Sequence, residues 1–445
     1  MRIVIVGAGE VGTTIASSLS SDHDIILIDI DESHVDQLKY ELDVLTFAGD
    51  GTTIQTLEAA QITKADLFIA CTDNDQANLI ACGTAKTFTD VFTIARSKNV
   101  EHLKTWEQKE GAFGVDFLVC TDLFAAESIV RLIGLPSSID VDLFAGGLVQ
   151  MAEFKLTPSA PIAGKTVAEA DQYDSLTFAG VFENGEIIIP TGDTELHPHA
   201  RVVVIGSPES IQSFALDLAP DETPNKADEI VIIGGSEIGY QTARLLEERS
   251  FSPRLIEQDA TRARYIAEKL PDTVVMHHDA TDTEFLTREH VDKADIVISA
   301  LDADERNLLV SVLAKRVGAD RVISLVDSAE YVTLFEEVGI DVAVNPRQVA
   351  AEEIIRFSYE TVAENIAVLE DDQAEVVEVE LGAQSELIGK TITEAATKID
   401  IPFVIGAITR DRTVISPRGD TTLRLGDHLI IFVSIDDAND IIARF

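Results

Sequence analysis

Residues 2–19 read RIVIVGAGEVGTTIASSL. A short apolar run, Arg2 to Val6, leads into GAGEVG, residues 7–12, and then into a helical stretch. The pattern G-x-G-x-x-G is weak alone, but directly after a strand and opening a helix it has the setting that phosphate binding needs. Gly7 allows the tight turn, Gly9 lets backbone approach a pyrophosphate, and Gly12 lets helix and strand pack closely. Ala8, Glu10 and Val11 complete the loop, at a helix N-terminus whose amides and positive dipole end face the phosphates.

Working outward, the chain alternates strand and helix patterns. IILID is followed by a helix around Val35–Tyr40, VLTFAGD by a helix from Thr53, LFIACT by a helix from Asn78, and then comes VFTIARS. A repeated βαβ pattern predicts an α/β fold with a parallel sheet and right-handed crossovers. Asp29 ends the second strand, where a carboxylate accepts ribose hydroxyls and repels a 2′-phosphate. That favours NAD(H) over its phosphorylated form, and ATP or ADP carries the same free ribose. Asp50, Thr72 and Asp73 follow the third and fourth strands at their carboxyl ends, the edge where ligands sit in open α/β sheets. Arg96 ends the fifth strand and is a candidate contact to phosphate or to the nicotinamide side. The plainer readings are that Asp50-Gly51 forms only a turn and that Asp73 only caps the next helix.

The opening stretch returns as EIVIIGGSEIGYQTARLL at 229–246. AGDGT (48–52) matches HDAT (278–281), and ACTDNDQANLI (70–80) matches SALDADERNLL (299–309). VDFLVCTDLFAAESIVR (115–131) matches IDVAVNPRQVAAEEIIR (340–356). The ends match too: APIAGKTVAEA (160–170) with SELIGKTITEA (385–395), and GDTELHPHARVVVIG (192–206) with GDTTLRLGDHLIIFV (419–433). A near-constant offset across both halves means two copies of one unit. Each copy opens with the βα pattern and closes with a smaller part of alternating strands and Gly-Asp and Asn-Gly turns. The expected domains are 1–134 and 228–369, Rossmann-like, and 140–219 and 373–445, small α+β, with the polar linker Ala219–Asp228 between the halves.

The second candidate site comprises Gly234, Gly235, Ser236, Glu237, Ile238, Glu257 and Asp279. It departs from the first. Ser236 stands where the close-approach glycine should be, Glu257 replaces Asp29, and Leu325 takes the place of Arg96. Weaker or different nucleotide binding is expected there, or none.

Some motifs imitate catalysis. Tyr265 and Lys269 have the Y-x-x-x-K spacing, but lie far upstream of where a dehydrogenase carries it. Gly164-Lys165-Thr166 and Gly389-Lys390-Thr391 resemble half a P-loop whose first glycine would fall at Ser159 or Gln384. His197/His199 and His277/His278 lack a full ligand set at metal-site spacing. No nucleophile triad can be argued, so no enzyme is expected.

The chain has 445 residues, 46% hydrophobic, with 34 basic against 78 acidic residues and a net charge of −44. That surface repels nucleic acid and anionic lipid, and suits a very salty cytoplasm where ions screen self-repulsion. Cys71, Cys82 and Cys120 have no CxxC spacing and read as reduced, buried thiols. The chain opens directly on a strand, so no signal peptide is expected. The apolar runs Ile230–Ile233 and Leu429–Val433 are strand-sized and far shorter than a membrane span.

GAGEVG, Asp29, AGDGT, ACTDND and TIARS together resemble the RCK (KTN) domains that regulate potassium channels and transporters. The GKTVAEA…GDTELHPHARVVVIG segment resembles the companion RCK-C domain, and two full copies resemble the TrkA family of peripheral potassium-uptake subunits. The resemblance covers essentially the whole chain. It implies a cytoplasmic, non-catalytic regulator that binds NAD(H), or ATP/ADP. It also implies self-association into an RCK ring, as a homotetramer or from homodimer blocks. That ring would dock on a membrane-embedded Trk-type potassium transporter subunit and so attach peripherally to the membrane. The competing readings are an NAD-dependent oxidoreductase and a sensor for a different solute transporter.

Overall fold

A computed structural model describes the chain apart from residues 21–22, 110, 136, 184, 219–228, 360–364, 369–372, 384, 400, 411–412 and 443. The whole of the expected linker, residues 219–228, lies outside the described residues. The chain divides into two compact units, residues 1–130 with 227–355, and residues 131–226 with 356–445.

The first unit holds two parallel six-stranded sheets. In the first sheet, β1 (Arg2–Val6), β2 (Asp24–Asp29), β3 (Leu45–Ala48), β4 (Leu67–Ala70), β5 (Phe92–Ser97) and β6 (Phe117–Cys120) lie in the order β3-β2-β1-β4-β5-β6. Its central strands are apolar at nearly every position, as strands covered by helices on both faces must be. The order reverses between β1 and β4, which opens a crevice at their carboxyl ends. Helices begin where short polar side chains satisfy their first amides: Asp31 before Glu32–Glu41, Asn74 before Asp75–Lys86, and Asn99 before Val100–Gln108.

The second unit's first sheet is antiparallel: β7 (Ser138–Phe144), β8 (Val149–Lys155), β9 (Leu176–Glu183), β10 (Glu186–Ile188) and β11 (Arg201–Gly206), in the order β10-β9-β11-β8-β7. The second parallel sheet, β12 (Ile230–Ile233), β13 (Arg254–Glu257), β14 (Val274–His277), β15 (Ile296–Ser299), β16 (Arg321–Leu325) and β17 (Val342–Val344), repeats the order of the first. The last sheet is β18 (Asn365–Val368), β19 (Ala374–Glu380), β20 (Phe403–Arg410), β21 (Thr413–Ile415) and β22 (His428–Ser434), in the order β18-β19-β22-β20-β21. Element by element, it copies the other antiparallel sheet. The α/β duplication read from the sequence is therefore the observed fold. One boundary shifts: the sequence reading leaves residues 365–368 with the parallel part, but β18 pairs antiparallel with β19.

Within the second unit the two antiparallel sheets share one core, in which Met151, Phe182, Val203 and Ile205 pack with Val376, Ala407, Ile430 and Phe432. Gly180 and Gly406 occupy matching places in β9 and β20. A Cβ at Gly180 would enter the Phe432 ring, and one at Gly406 would collide with Ile205. Each copy thus uses a glycine to admit the other's bulky side chain. The repeated GKT segments are also explained here. Thr166 and Thr391 each cap a short helix in a capping box with Glu169 and Glu394, three residues on.

Candidate functional site

The first glycine loop connects β1 to the helix Glu10–Leu19. Gly7 has φ of 108°, a conformation that L side chains rarely adopt, and a Cβ there would crowd the Thr72 amide. A Cβ at Gly12 would collide with the Gly7 carbonyl, so Gly12 holds helix against strand. Gly9 differs. Its backbone is extended, nothing lies within 4 Å of its Cβ position, and no side chain caps the helix it begins. Open space therefore adjoins amides that the chain itself leaves uncapped.

Around that space lies a cleft of about 150 Å³, lined by Gly7, Gly9, Glu10, Val11, Asp29, His34, Cys71, Thr72, Asp73, Arg96 and Arg347. Asp29 accepts from the Ala8 amide at 2.6 Å and the Asp31 amide at 2.9 Å, which fixes its carboxylate beside the loop. Thr72 is held by the fully buried Asn78, whose Oδ1 accepts from the Thr72 amide (2.9 Å) and hydroxyl (2.6 Å). The Asn78 amide donates to the carbonyls of Thr72 and Arg96, both at 2.9 Å, and so ties the ends of β4 and β5 together.

Arg96 is 2% exposed. Its Nε donates to Thr121 Oγ1 at 3.0 Å and its Nη1 to Asp73 Oδ1 at 3.1 Å, while its buried Nη2 has no hydrogen-bond partner. A buried guanidinium arm without a partner is costly unless something else accepts from it. Burial would raise the Asp73 pKa, but the Arg96 bond and charge, with Arg347, outweigh it and hold the carboxyl below its ordinary value. Burial pushes the Cys71 thiol up to about 12, which keeps it protonated and non-nucleophilic at neutral pH.

The structure thus brings together Gly7, Ala8, Gly9, Glu10, Val11, Gly12, Asp29, Thr72, Asp73 and Arg96 at one corner. Asp50 is not among the lining residues. Its carboxylate accepts from the Thr52 amide (2.9 Å) and hydroxyl (2.7 Å), which closes the turn. Asp279 does the same with Thr281, at 2.9 Å for both bonds. The cap reading of Asp73 is corrected, because Asn74 caps the helix and Asp73 pairs with Arg96.

Sequence reading missed His34 and Arg347. Arg347 belongs to the second half of the chain, in the first turn of the helix Pro346–Tyr359. Its Nη1 lies 3.0 Å from Glu10 Oε2, and its Nη2 4.0 Å from Asp73 Oδ2. Glu10 Oε1 also accepts from the Asn345 side chain at 2.9 Å and the Ala329 amide at 3.1 Å. The repeat alignment held a signal for this: CTD (120–122) stands opposite NPR (345–347), so a charge reverses at the carboxyl end of the last strand.

The second loop closes on itself. Glu257 accepts from the amides of Gly235 (2.7 Å) and Asp259 (2.6 Å), as Asp29 does in the first half. Ser236 Oγ accepts from the Gly239 amide at 3.2 Å, so here the chain caps the helix Glu237–Glu248, whose counterpart in the first half Gly9 leaves uncapped. Arg262 donates from Nε to the Gly235 carbonyl at 2.6 Å and from Nη2 to Glu237 at 3.3 Å. Its guanidinium lies over the rings of Tyr240 and Tyr265. Leu325 is buried where Arg96 stands in the first half. Asp122, the counterpart of Arg347, lines a cavity of about 390 Å³ with Glu237, Tyr240 and Tyr265.

The TrkA-N domain family matches residues 3–120 and 230–346, and the TrkA-C domain family matches 151–218 and 376–445. The Trk system potassium uptake protein TrkA homolog of Archaeoglobus fulgidus is 36% identical over 441 residues, covering 99% of each chain. Among solved structures, the crystal structure of the GsuK RCK domain is 23% identical with a TM-score of 0.61, covering 99% of this chain and 95% of that one. The GsuK channel bound to NAD is 22% identical with a TM-score of 0.61, covering 99% of this chain and 79% of the channel's.

Proposed function

We propose, for a chain that belongs to the TrkA family, a nucleotide-sensing regulatory subunit of potassium transport. Its ligand is NAD(H), or ADP/ATP, held at the first glycine loop. The observation that carries this is the buried Arg96, which has an unpartnered Nη2 and lines one cleft with the uncapped Gly9 loop and Asp29. A phosphate oxygen satisfies both the arm and the loop amides. Asp29 is placed to accept from a ribose, since a carboxylate already holding two amides keeps further lone pairs. The NAD-bound channel of the same fold supports the choice of ligand.

The partner is a membrane-embedded Trk-type potassium transporter subunit, on which an RCK ring of this chain docks from the cytoplasmic face. Among the described residues no helix is long and apolar enough to cross a membrane. Binding regulates transport only if the nucleotide favours one arrangement of the paired halves over another. The same proposal keeps the division into two RCK-N and two RCK-C parts. A dehydrogenase reading would have to cast His34 as the acid–base group beside the nicotinamide; the cleft's other ionisable groups, its arginines apart, are the protonated Cys71 and carboxylates tied to amides or arginines.

The test is a pull-down from detergent-solubilised membranes at high salt, with the co-purified nucleotide identified by mass spectrometry. A potassium-transporter subunit and NAD(H), ADP or ATP are expected. Recovery of a transporter for another solute, or turnover of NADH with a small substrate, would overturn the reading.

A further inference from the structure

The first half alone is poorly charged for an anion. Its cleft presents three carboxylates, Glu10, Asp29 and Asp73, against one guanidinium, Arg96. A diphosphate entering there meets repulsion at short range in a partly desolvated space, where charges interact more strongly than in water. Arg347 changes this balance, and it comes from the other half of the chain. It sits between two of the three carboxylates, 3.0 Å from Glu10 and 4.0 Å from Asp73.

Glu10 is the first residue of the helix whose N-terminal amides line the cleft. Its carboxylate is gripped by three donors of the second half: the Ala329 amide, the Asn345 amide group and Arg347. The first two bind Oε1 and keep Glu10 in place without Arg347. The arginine is therefore free to turn one arm toward a stronger anion while Glu10 stays anchored.

We propose that Arg347 is a phosphate ligand of the first nucleotide site, supplied by the second half of the chain and shared between Glu10 and the bound diphosphate. This rests on the nucleotide site proposed above and deepens it. The site is incomplete without the second half, so a nucleotide senses how the two halves meet. The second half then has a function even if its own glycine loop stays empty. The ligand class is a nucleoside diphosphate moiety, whether free or within a dinucleotide.

The experiment titrates the full chain, at constant near-molar salt, with NADH, ADP and phosphate-free adenosine. R347Q is expected to weaken NADH and ADP by about ten- to a hundredfold, the scale of one lost charge-assisted hydrogen bond. Adenosine affinity should not change. R347K should recover part of the loss, because it keeps the charge and loses the fork. E10Q removes the competing carboxylate and should tighten ADP several-fold, a gain that disappears in the double variant E10Q/R347Q. Thermal melts of each variant establish that it is folded.

Wild-type binding of NADH or ADP with an unchanged affinity in R347Q overturns the inference and leaves the site reading intact. An equal loss of adenosine and ADP affinity also overturns it, since that is a general disturbance of the cleft. A wild-type chain that binds none of the three overturns the site reading and this inference with it.

Discussion

At the first glycine loop Glu10 meets Arg347 from the other half; at the second, Glu237 shares a cavity with Asp122. The two corners are related by the duplication, stand on sheets of the same strand order, and keep a carboxylate at the first helical position. What differs is whether the corner is left open. The first has a bare glycine at the helix start, an unpartnered buried guanidinium arm and a cation supplied across the joint. The second has a serine that caps its own helix, a leucine in place of the arginine, and Arg262 bonded to the loop carbonyls. The duplication preserved the scaffold and divided the labour. At one corner donors stand open, and at the other the chain has satisfied its own.

The largest expected effect comes from filling the open corner. Gly9→Val places a side chain in the cleft at a backbone conformation any residue adopts, with nothing within 4 Å of its Cβ. NADH and ADP binding should fall by more than about a hundredfold, while stability changes by no more than about 1 kcal/mol. A matched Gly12→Ala, colliding with the Gly7 carbonyl, should instead destabilise the fold. Calorimetric titration and thermal melts of the two variants separate binding from packing.

The contrast between the corners was only partly legible in the sequence. Gly7, Gly9, Asp29, Thr72, Asp73 and Arg96 stand at or just past the carboxyl ends of β1, β2, β4 and β5 of one sheet, so strand periodicity alone lines them up at that edge. The Ser236 and Leu325 departures were visible once the repeat was aligned. The same alignment carries a charge reversal at Arg347, but not its place in the first cleft, which depends on how two sheets more than two hundred residues apart in sequence pack together. Arg262 was hidden for a related reason: its guanidinium reaches back from the next helix to the loop carbonyls. Asp50 suits both a ligand and a turn, since it follows a strand; its carboxylate closes the turn with Thr52 and does not line the cleft. β18 was assigned to the wrong side because its pairing partner lies beyond the boundary drawn.

The second corner also responds to pH through Asp122. The Asp122 pKa is raised from 3.8 to about 6, chiefly by burial, with Lys98 opposing and Glu237 and Asp75 adding to the rise. Between about pH 4 and pH 6 the folded chain holds a proton that the unfolded chain has lost. Stability from this group is therefore greatest below that window and falls as pH rises through it. Asp122→Asn should stabilise the chain by about 2–3 kcal/mol at pH 7 and flatten the profile over that window. Urea melts at a series of pH values check this; an unchanged slope would remove Asp122 from the account of the second corner.

A smaller effect is expected at the ribose position. Asp29→Ala should weaken NADH by about tenfold and narrow the preference over the 2′-phosphorylated form, because an acceptor and a repelling charge are lost together. Competition titrations with NADH and NADPH measure both. Smallest of all should be Ser236→Gly, which opens the second helix start but leaves Arg262, Asp122 and Leu325 in place. It should add no second tight site.

One binding corner per chain would show in the stoichiometry of NADH and ADP on the wild-type protein, measured by calorimetry in near-molar salt. One tight site per chain is expected, abolished by Gly9→Val and unaffected by Ser236→Gly. Two sites of equal affinity per chain, or a single site that survives Gly9→Val, would contradict it.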